Sequence, residues 1–265
     1  MPTINTTVNN LLKNHSAELT GNDWTASGTA SIVTSSPFVG SHSFYVNSTS
    51  ASSGRVTYKQ TVNIDKGSAY TYSGYVKSAD ISTGDSCGAS LMVTYKDANG
   101  QDVIADSKFI TGTSDYSRAS LTFTVPADST QSTADVFMSL KDASGDAYFD
   151  ALQLEKGDTV SQYNMLEDSS FERGISAGYW NAVNLSSGDG LSATSFDGEY
   201  SYKIVGDEQT DKGLYQDIYV NKNETTTYTL SGWAKADSVD TANDKATFRA
   251  AITTPLSIPI KTVYI

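Results

Sequence analysis

The stretch that decides the fold class is AYTYSGYVKS, residues 69–78. Tyr70, Tyr72, Gly74 and Val76 share one parity, and Thr71, Ser73, Tyr75 and Lys77 share the other. Successive side chains of a β-strand point to opposite faces. One face of this segment is therefore apolar, and the other is polar with a single tyrosine. The same pattern spreads outward on both sides. Val56, Tyr58, Val62 and Ile64 share parity in RVTYKQTVNI (55–64), Ala119, Leu121, Phe123 and Val125 in 118–125, and Val136, Met138 and Leu140 in 134–141. Further apolar runs at 29–34, 43–48, 89–97, 102–110 and 147–155 are separated by Gly, Asn, Asp, Ser and Pro clusters, the punctuation of short strands.

About nine strands with no amphipathic helix predict an antiparallel β-sandwich, a jelly roll in particular. Sixteen Tyr, nine Phe and three Trp against four Met agree, since aromatic side chains suit pleated surfaces. DANG at 97–100 reads as a hairpin turn, with Asn99-Gly100 suited to type I′.

The chain also repeats itself. NLLKNHSAE (10–18) matches NMLEDSSFE (164–172), and Trp24 matches Trp180. GSHSFYV (40–46) matches GEYSYKI (198–204), YKQTVNI (58–64) matches YQDIYV (215–220), and YTYSGYVKSAD (70–80) matches YTLSGWAKAD (228–237). Five anchors in one order at offsets near 156 describe two copies of one unit. The expected organisation is a lead (1–9), a complete sandwich (10–157), a linker DTVSQY (158–163) and a second copy (164–265). YFDALQLEKG (148–157) has no counterpart after the second opening, so the second sandwich is expected to be incomplete, with an uncovered sheet edge.

Formal net charge is −12, which opposes phosphate backbones and argues against a nucleic-acid partner. The single cysteine, Cys87, forms no internal disulfide, and with two histidines it makes a zinc site an unfavourable reading. No run of about 18 apolar residues spans a membrane. The N-terminus lacks the charged and apolar regions of a signal peptide, so a secreted parent would carry that signal outside this sequence. There is no G-x-S-x-G elbow, phosphate loop or HExxH, and no evident pair of catalytic carboxylates. His15 and His42 read as surface or packing residues, and the chain itself is not expected to be an enzyme.

The opening NLLKNHSAE with Trp24, the central GSHSFYV, the strand YTYSGYVKS and the closing YFDALQLEKG together resemble the bacterial carbohydrate-binding modules of families 4, 9 and 22, which share a jelly-roll sandwich. The resemblance covers the first copy and the N-terminal two thirds of the second. Similar modules recur in glycoside hydrolases and in large cell-wall-associated repeat proteins. The resemblance implies non-catalytic binding of a polysaccharide or cell-wall glycan on a concave sheet face, within a larger extracellular or cell-wall-associated protein that carries other domains. A structural spacer or adhesion repeat that binds no sugar is the alternative.

Sugar rings stack on flat aromatic faces, so Tyr75 and its counterpart Trp233, both on the outward parity, are the first ligand-binding candidates. Lys59, Met92, Arg118 and Phe137 have matching outward parity on other strands. A covering loop would remove any of them from the ligand. Trp24 and Trp180 fit better as plugs at the end of the core. The resemblance further implies a structural calcium ion shared by Glu18 and Asp150, which would tie the opening to the closing strand; oxygen-only ligands suit that ion.

Overall fold

A computed structural model describes residues 8–19, 23–51, 54–206, 209–218, 227–238, 249–253 and 259–264. Most of the expected lead, residues 1–7, lies outside the described residues, as do positions 219–220 of the YQDIYV match. The chain divides into two compact units, one comprising 1–180 with 216–220 and the other 181–215 with 221–265.

The first unit is a sandwich of ten strands: β1 Thr25–Ser27, β2 Thr29–Val33, β3 Ser43–Ser48, β4 Arg55–Asn63, β5 Ala69–Ile81, β6 Gly88–Lys96, β7 Asp102–Asp106, β8 Gly112–Thr124, β9 Thr133–Lys141 and β10 Gly145–Lys156. They form two antiparallel five-stranded sheets, ordered β1-β4-β9-β6-β7 and β2-β3-β10-β5-β8. Strands β4 and β5 are consecutive in sequence but lie in different sheets, the crossing that sandwiches require. The closing strand β10 sits in the middle of its sheet, between β3 and β5.

The core is made by the parities that the sequence displays. Tyr72, Val76, Phe44, Phe149, Leu152 and Leu154 from the second sheet meet Leu91, Val93, Val136, Met138 and Leu140 from the first, all fully buried. Burial of each such side chain contributes roughly 1.5–3 kcal/mol. Trp24 plugs the core as expected: it is 5% exposed, and its indole N–H donates to the carbonyls of Lys13 and Asn14.

Two local expectations are corrected. The turn after β6 is not type I′, because Lys96 pairs with Asp102 across a five-residue loop and Asn99 is not at positive φ. Instead, the Asp97 carboxylate accepts the Asn99 and Gln101 amides, and only Gly100 takes the left-handed conformation, at φ 77°. Strand β1 was not expected; its three residues, TAS, are too short for periodicity to register.

Several contacts of the first opening recur at the second. Asn14 and Asp168 both sit at positive φ, 46° and 47°, as do Ala17 and Phe171, at 63° and 62°. Trp180 donates its indole N–H to Asp168 O, as Trp24 does to Asn14 O. The Leu19 amide donates to Asn14 Oδ1, and the Arg173 amide to Asp168 Oδ1. Gln60 clamps the Lys13 backbone through both its amide oxygen and its amide nitrogen, and Gln216 clamps the Glu167 backbone in the same way.

Among its described residues the second unit contains three two-stranded ladders. β11 Asn181–Val183 pairs with β14 Gly213–Tyr215, β12 Gly190–Ser192 with β13 Ser201–Lys203, and β15 Arg249–Thr253 with β16 Pro259–Tyr264. The first two ladders repeat the β1–β4 and β2–β3 pairings. Residues 227–236, at the position of β5, form no strand. Leu191, Phe196, Ile204, Val205, Tyr215, Tyr228 and Trp233 are exposed. Pro259 opens β16, where a strand tolerates the missing N–H.

Candidate functional site

The six expected ligand residues do not share one face. Outward parity is relative to a strand's own sheet, and the strands that carry these residues divide between the two sheets. Tyr75 (β5) and Arg118 (β8) pair with each other on the outer face of the second sheet. Lys59 (β4), Phe137 (β9) and Met92 (β6) lie on the outer face of the first, where register sets Lys59 opposite Phe137 and Phe137 opposite Met92. Trp233 belongs to the second unit.

Tyr75 is covered. The loop between β2 and β3 lays Phe38 flat on its ring, with centroids 3.9 Å apart and an interplanar angle of 18°. Tyr116 packs against Phe38 at 5.2 Å and donates its hydroxyl to Ser36 O, closing the same loop. Arg118 runs along the same outer face, donating to Ser73 Oγ with its guanidinium 5.9 Å from the Tyr75 ring centroid. Trp233 is stacked in the same way by Phe196, at 4.0 Å and 15°, though both rings there remain more than half exposed. Phe38 and Phe196 each stand two residues before the glycine of their repeat anchor. That spacing was the available signal, and the sequence reading missed it.

The same loop is held by Glu18 and Asp150. Asp150 Oδ2 accepts the Phe38 and Val39 amides at 2.8 and 3.0 Å, and Oδ1 accepts the Ala151 amide. Glu18 Oε1 accepts the Ser41 and His42 amides, and Oε2 accepts the Ser41 hydroxyl and faces His42 Nδ1 at 3.2 Å. Every carboxylate oxygen of the pair is therefore directed at an N–H or O–H donor. In this arrangement the two carboxylates hold the loop through its amides and a hydroxyl. Among the described residues, no three His, Cys, Asp or Glu side chains are grouped to hold a metal.

Burial pushes the Asp150 carboxyl up to about 7, outweighing its three amide donors, and the nearby Glu18 charge adds to the rise. Its folded value thus lies above the unfolded value near ~3.9. Ionised Asp150 then costs stability, and the cost is relieved as pH falls from about 7 toward ~4. Replacing Asp150 with Asn, which keeps an acceptor oxygen without the charge, is expected to remove this part of the pH dependence. The Tm of Asp150→Asn at pH 8 should equal or exceed that of the unmodified chain, with the difference shrinking by pH 5. A variant that is less stable at pH 8 and converges nowhere would contradict the buried-charge account.

The outer face of the first sheet is built differently. Arg55 makes a two-pronged contact with Asp106, at 2.9 and 2.6 Å, and reaches Ser139 Oγ, while Ser90 also donates to Asp106. Beside this network lies the row Lys59–Phe137–Met92. Lys59 pairs with Asp135 at 3.0 Å, its side chain 38% exposed. Among the described residues no ring stacks on Phe137, which is half-buried. Met92 is 4% exposed, so it supplies apolar floor rather than a projecting contact. Ser90, Ser139 and Thr57 also point outward yet are buried, at 0%, 0% and 8%. These short polar side chains are thus covered by larger neighbours on the outer face. Phe109 lies under the Lys141 ammonium at 5.5 Å. Arg55, Asp106, Asp135 and Phe109 were not singled out from sequence, because their meeting depends on which strands are neighbours.

The family described as "Carbohydrate binding domain" matches residues 9–145, just over half of the chain. The chain is 30% identical over 259 residues to "tRNA(Glu)-specific nuclease WapA" of Bacillus subtilis subsp. natto (strain BEST195), covering 89% of this chain and 11% of that protein. It is also 30% identical over 259 residues, with the same coverage, to "tRNA nuclease WapA" of Bacillus subtilis (strain 168). The chain thus spans about a tenth of the length of these curated relatives. Among solved structures, "Family 16 Carbohydrate Binding Module-2" is similar with a TM-score of 0.43 and 21% identity, over 55% of this chain and 99% of that one. The C-terminal family 22 carbohydrate binding module of Clostridium thermocellum Xyn10B is similar with a TM-score of 0.44 and 19% identity, over 56% of this chain and 94% of that one. No helix of the described residues is long and apolar enough to cross a membrane.

Proposed function

The chain belongs to the carbohydrate binding domain family, and from that premise we propose that it binds a glycan chain across the outer face of its first sheet. The observation that carries this reading is the cross-strand row Lys59–Phe137–Met92, in which, among the described residues, no ring stacks on Phe137 as Phe38 does on Tyr75. Phe137 would take the apolar face of one sugar ring. Lys59, Asp135, Arg55 and Asp106 would exchange hydrogen bonds with hydroxyls along this face. Binding is non-catalytic, a role supported by the ion pairing of both acidic groups beside the row, Asp106 to Arg55 and Asp135 to Lys59. The recurring opening contacts and the paired aromatic stacks support the tandem reading. The activity of a whole protein carrying this segment is a separate matter, on which binding by this segment does not bear.

Calorimetric titration of the chain with a panel of soluble plant and bacterial cell-wall oligosaccharides tests the proposal. Saturable binding that protects the Lys59 ammonium from acylation supports it. Binding with no protection of Lys59 would move the site elsewhere, and no binding across the panel would favour the spacer reading. We further propose that calcium is not needed to close the sandwich, because amides occupy the carboxylates that the ion would use. A Tm unchanged by EDTA is expected; a fall of several degrees, restored by added calcium, would overturn this.

A further inference from the structure

The segment between the copies is not a free tether. Ser161 donates its amide to Glu155 Oε1, and the Gln153 side chain reaches Gln162 O and accepts the Asn164 amide. Tyr163 hydrogen-bonds His15 Nδ1 and packs edge-on against that ring at 5.3 Å. Asn164 donates its side chain to Val8 O. Glu167 accepts the His15 amide at 3.1 Å through Oε1, which also lies 3.2 Å from His15 Nε2. Arg173 donates to the carbonyls of Leu11 and Leu12 at 2.8 and 3.0 Å and lies 3.7 Å from Glu167 Oε2. The site is enclosed: His15 is 1% exposed and Glu167 9%.

We propose that the opening of the first sandwich is a docking surface for the opening segment of the copy that follows it, recognised through Glu167 and Arg173. Two open carbonyls, Leu11 and Leu12, and one open amide, His15, form a fixed acceptor–donor pattern. A guanidinium and a carboxylate of the following copy complete it. Burial holds the His15 ring down at about 3 and pushes the Glu167 carboxyl up to about 7, so the ring is neutral at physiological pH and Arg173 is the partner that keeps its charge throughout. The recognition is directional. At the positions of Glu167 and Arg173 the first copy carries Lys13 and Leu19, which offer the wrong charge and no donor fork. The first opening is therefore built to receive a neighbour in this manner and not to dock onto one.

The proposal is tested in the full chain by inserting a site-specific protease recognition sequence at the exposed Thr159 and cutting the folded protein. The two halves are expected to co-elute in size-exclusion chromatography at micromolar concentration. With Glu167→Lys and Arg173→Ala together they should separate. Should the double variant fail to fold before cutting, Asn164→Ala, which removes the Val8 contact, should still weaken association of the halves about tenfold by dilution. Separation of the unmodified halves, or unaltered association in the folded variants, would overturn the proposal.

Discussion

Phe137→Ala is expected to weaken binding of any oligosaccharide that the chain recognises by about thirtyfold or more. Truncation of a central aromatic anchor typically costs ~2 kcal/mol or more, and ~1.4 kcal/mol is a factor of ten. The ring is half-buried at the middle of its row, between Lys59 on one strand and Met92 on another. Its loss removes the stacking surface and leaves the floor intact, because the opposite face of β9 carries the core residues Val136 and Met138. The paired expectation concerns Tyr75→Ala. Phe38 already occupies that ring face, so affinity should stay within about twofold, while Tm falls because the loop loses its stacked partner, a pair worth ~0.5–1.5 kcal/mol beyond burial. Equal loss of binding in both variants would place the ligand on neither face alone. Loss in Tyr75→Ala only would transfer the site to the second sheet.

The largest effect on stability is expected at Gly145, where the closing strand begins. Its φ is +124°, a conformation that side-chain-bearing residues rarely adopt. An added Cβ would stand 2.7 Å from both Asp80 O and Ile81 Cα. Those atoms are backbone of β5, so neither can swing away without breaking the β5–β10 pairing at Asp146–Ala79. Backbone strain and overpacking each cost ~1–3 kcal/mol, and together they should lower Tm by about 5–15 °C in Gly145→Ala. Gly112→Ala is the control. Its φ is +72° with no atom within 4 Å of the new Cβ, so only the left-handed strain of ~1–2 kcal/mol applies. Thermal melts of the two variants that fall together would show that the close approach at Gly145 is relieved without cost.

Much of the sandwich was legible because period-two alternation reports burial directly. Val56, Tyr72, Leu121, Val136 and Met138 face the core as their parity predicts. The recurring anchors were legible for a similar reason: turn residues and aromatics return at near-constant offsets, and Gln60 and Gln216, at matching positions, make the same backbone clamp. The seam was less so. DTVSQY looks like a polar linker, yet Tyr163 is enclosed with His15, a contact between residues 148 positions apart that no local pattern announces.

The sequence by itself determined the class of fold and, for most strands of the first sandwich, their inward and outward sides. Only the tertiary structure decided which outward side belongs to which face of the molecule. Lys59 and Tyr75 have the same outward parity on consecutive strands, but β4 enters one sheet and β5 the other, so the two residues point away from each other across the core. Alternation is a property of one strand, whereas sheet membership is set by pairings between distant segments. A loop such as 34–42 can then cover one face, as Phe38 does for Tyr75, while among the described residues no ring stacks on Phe137.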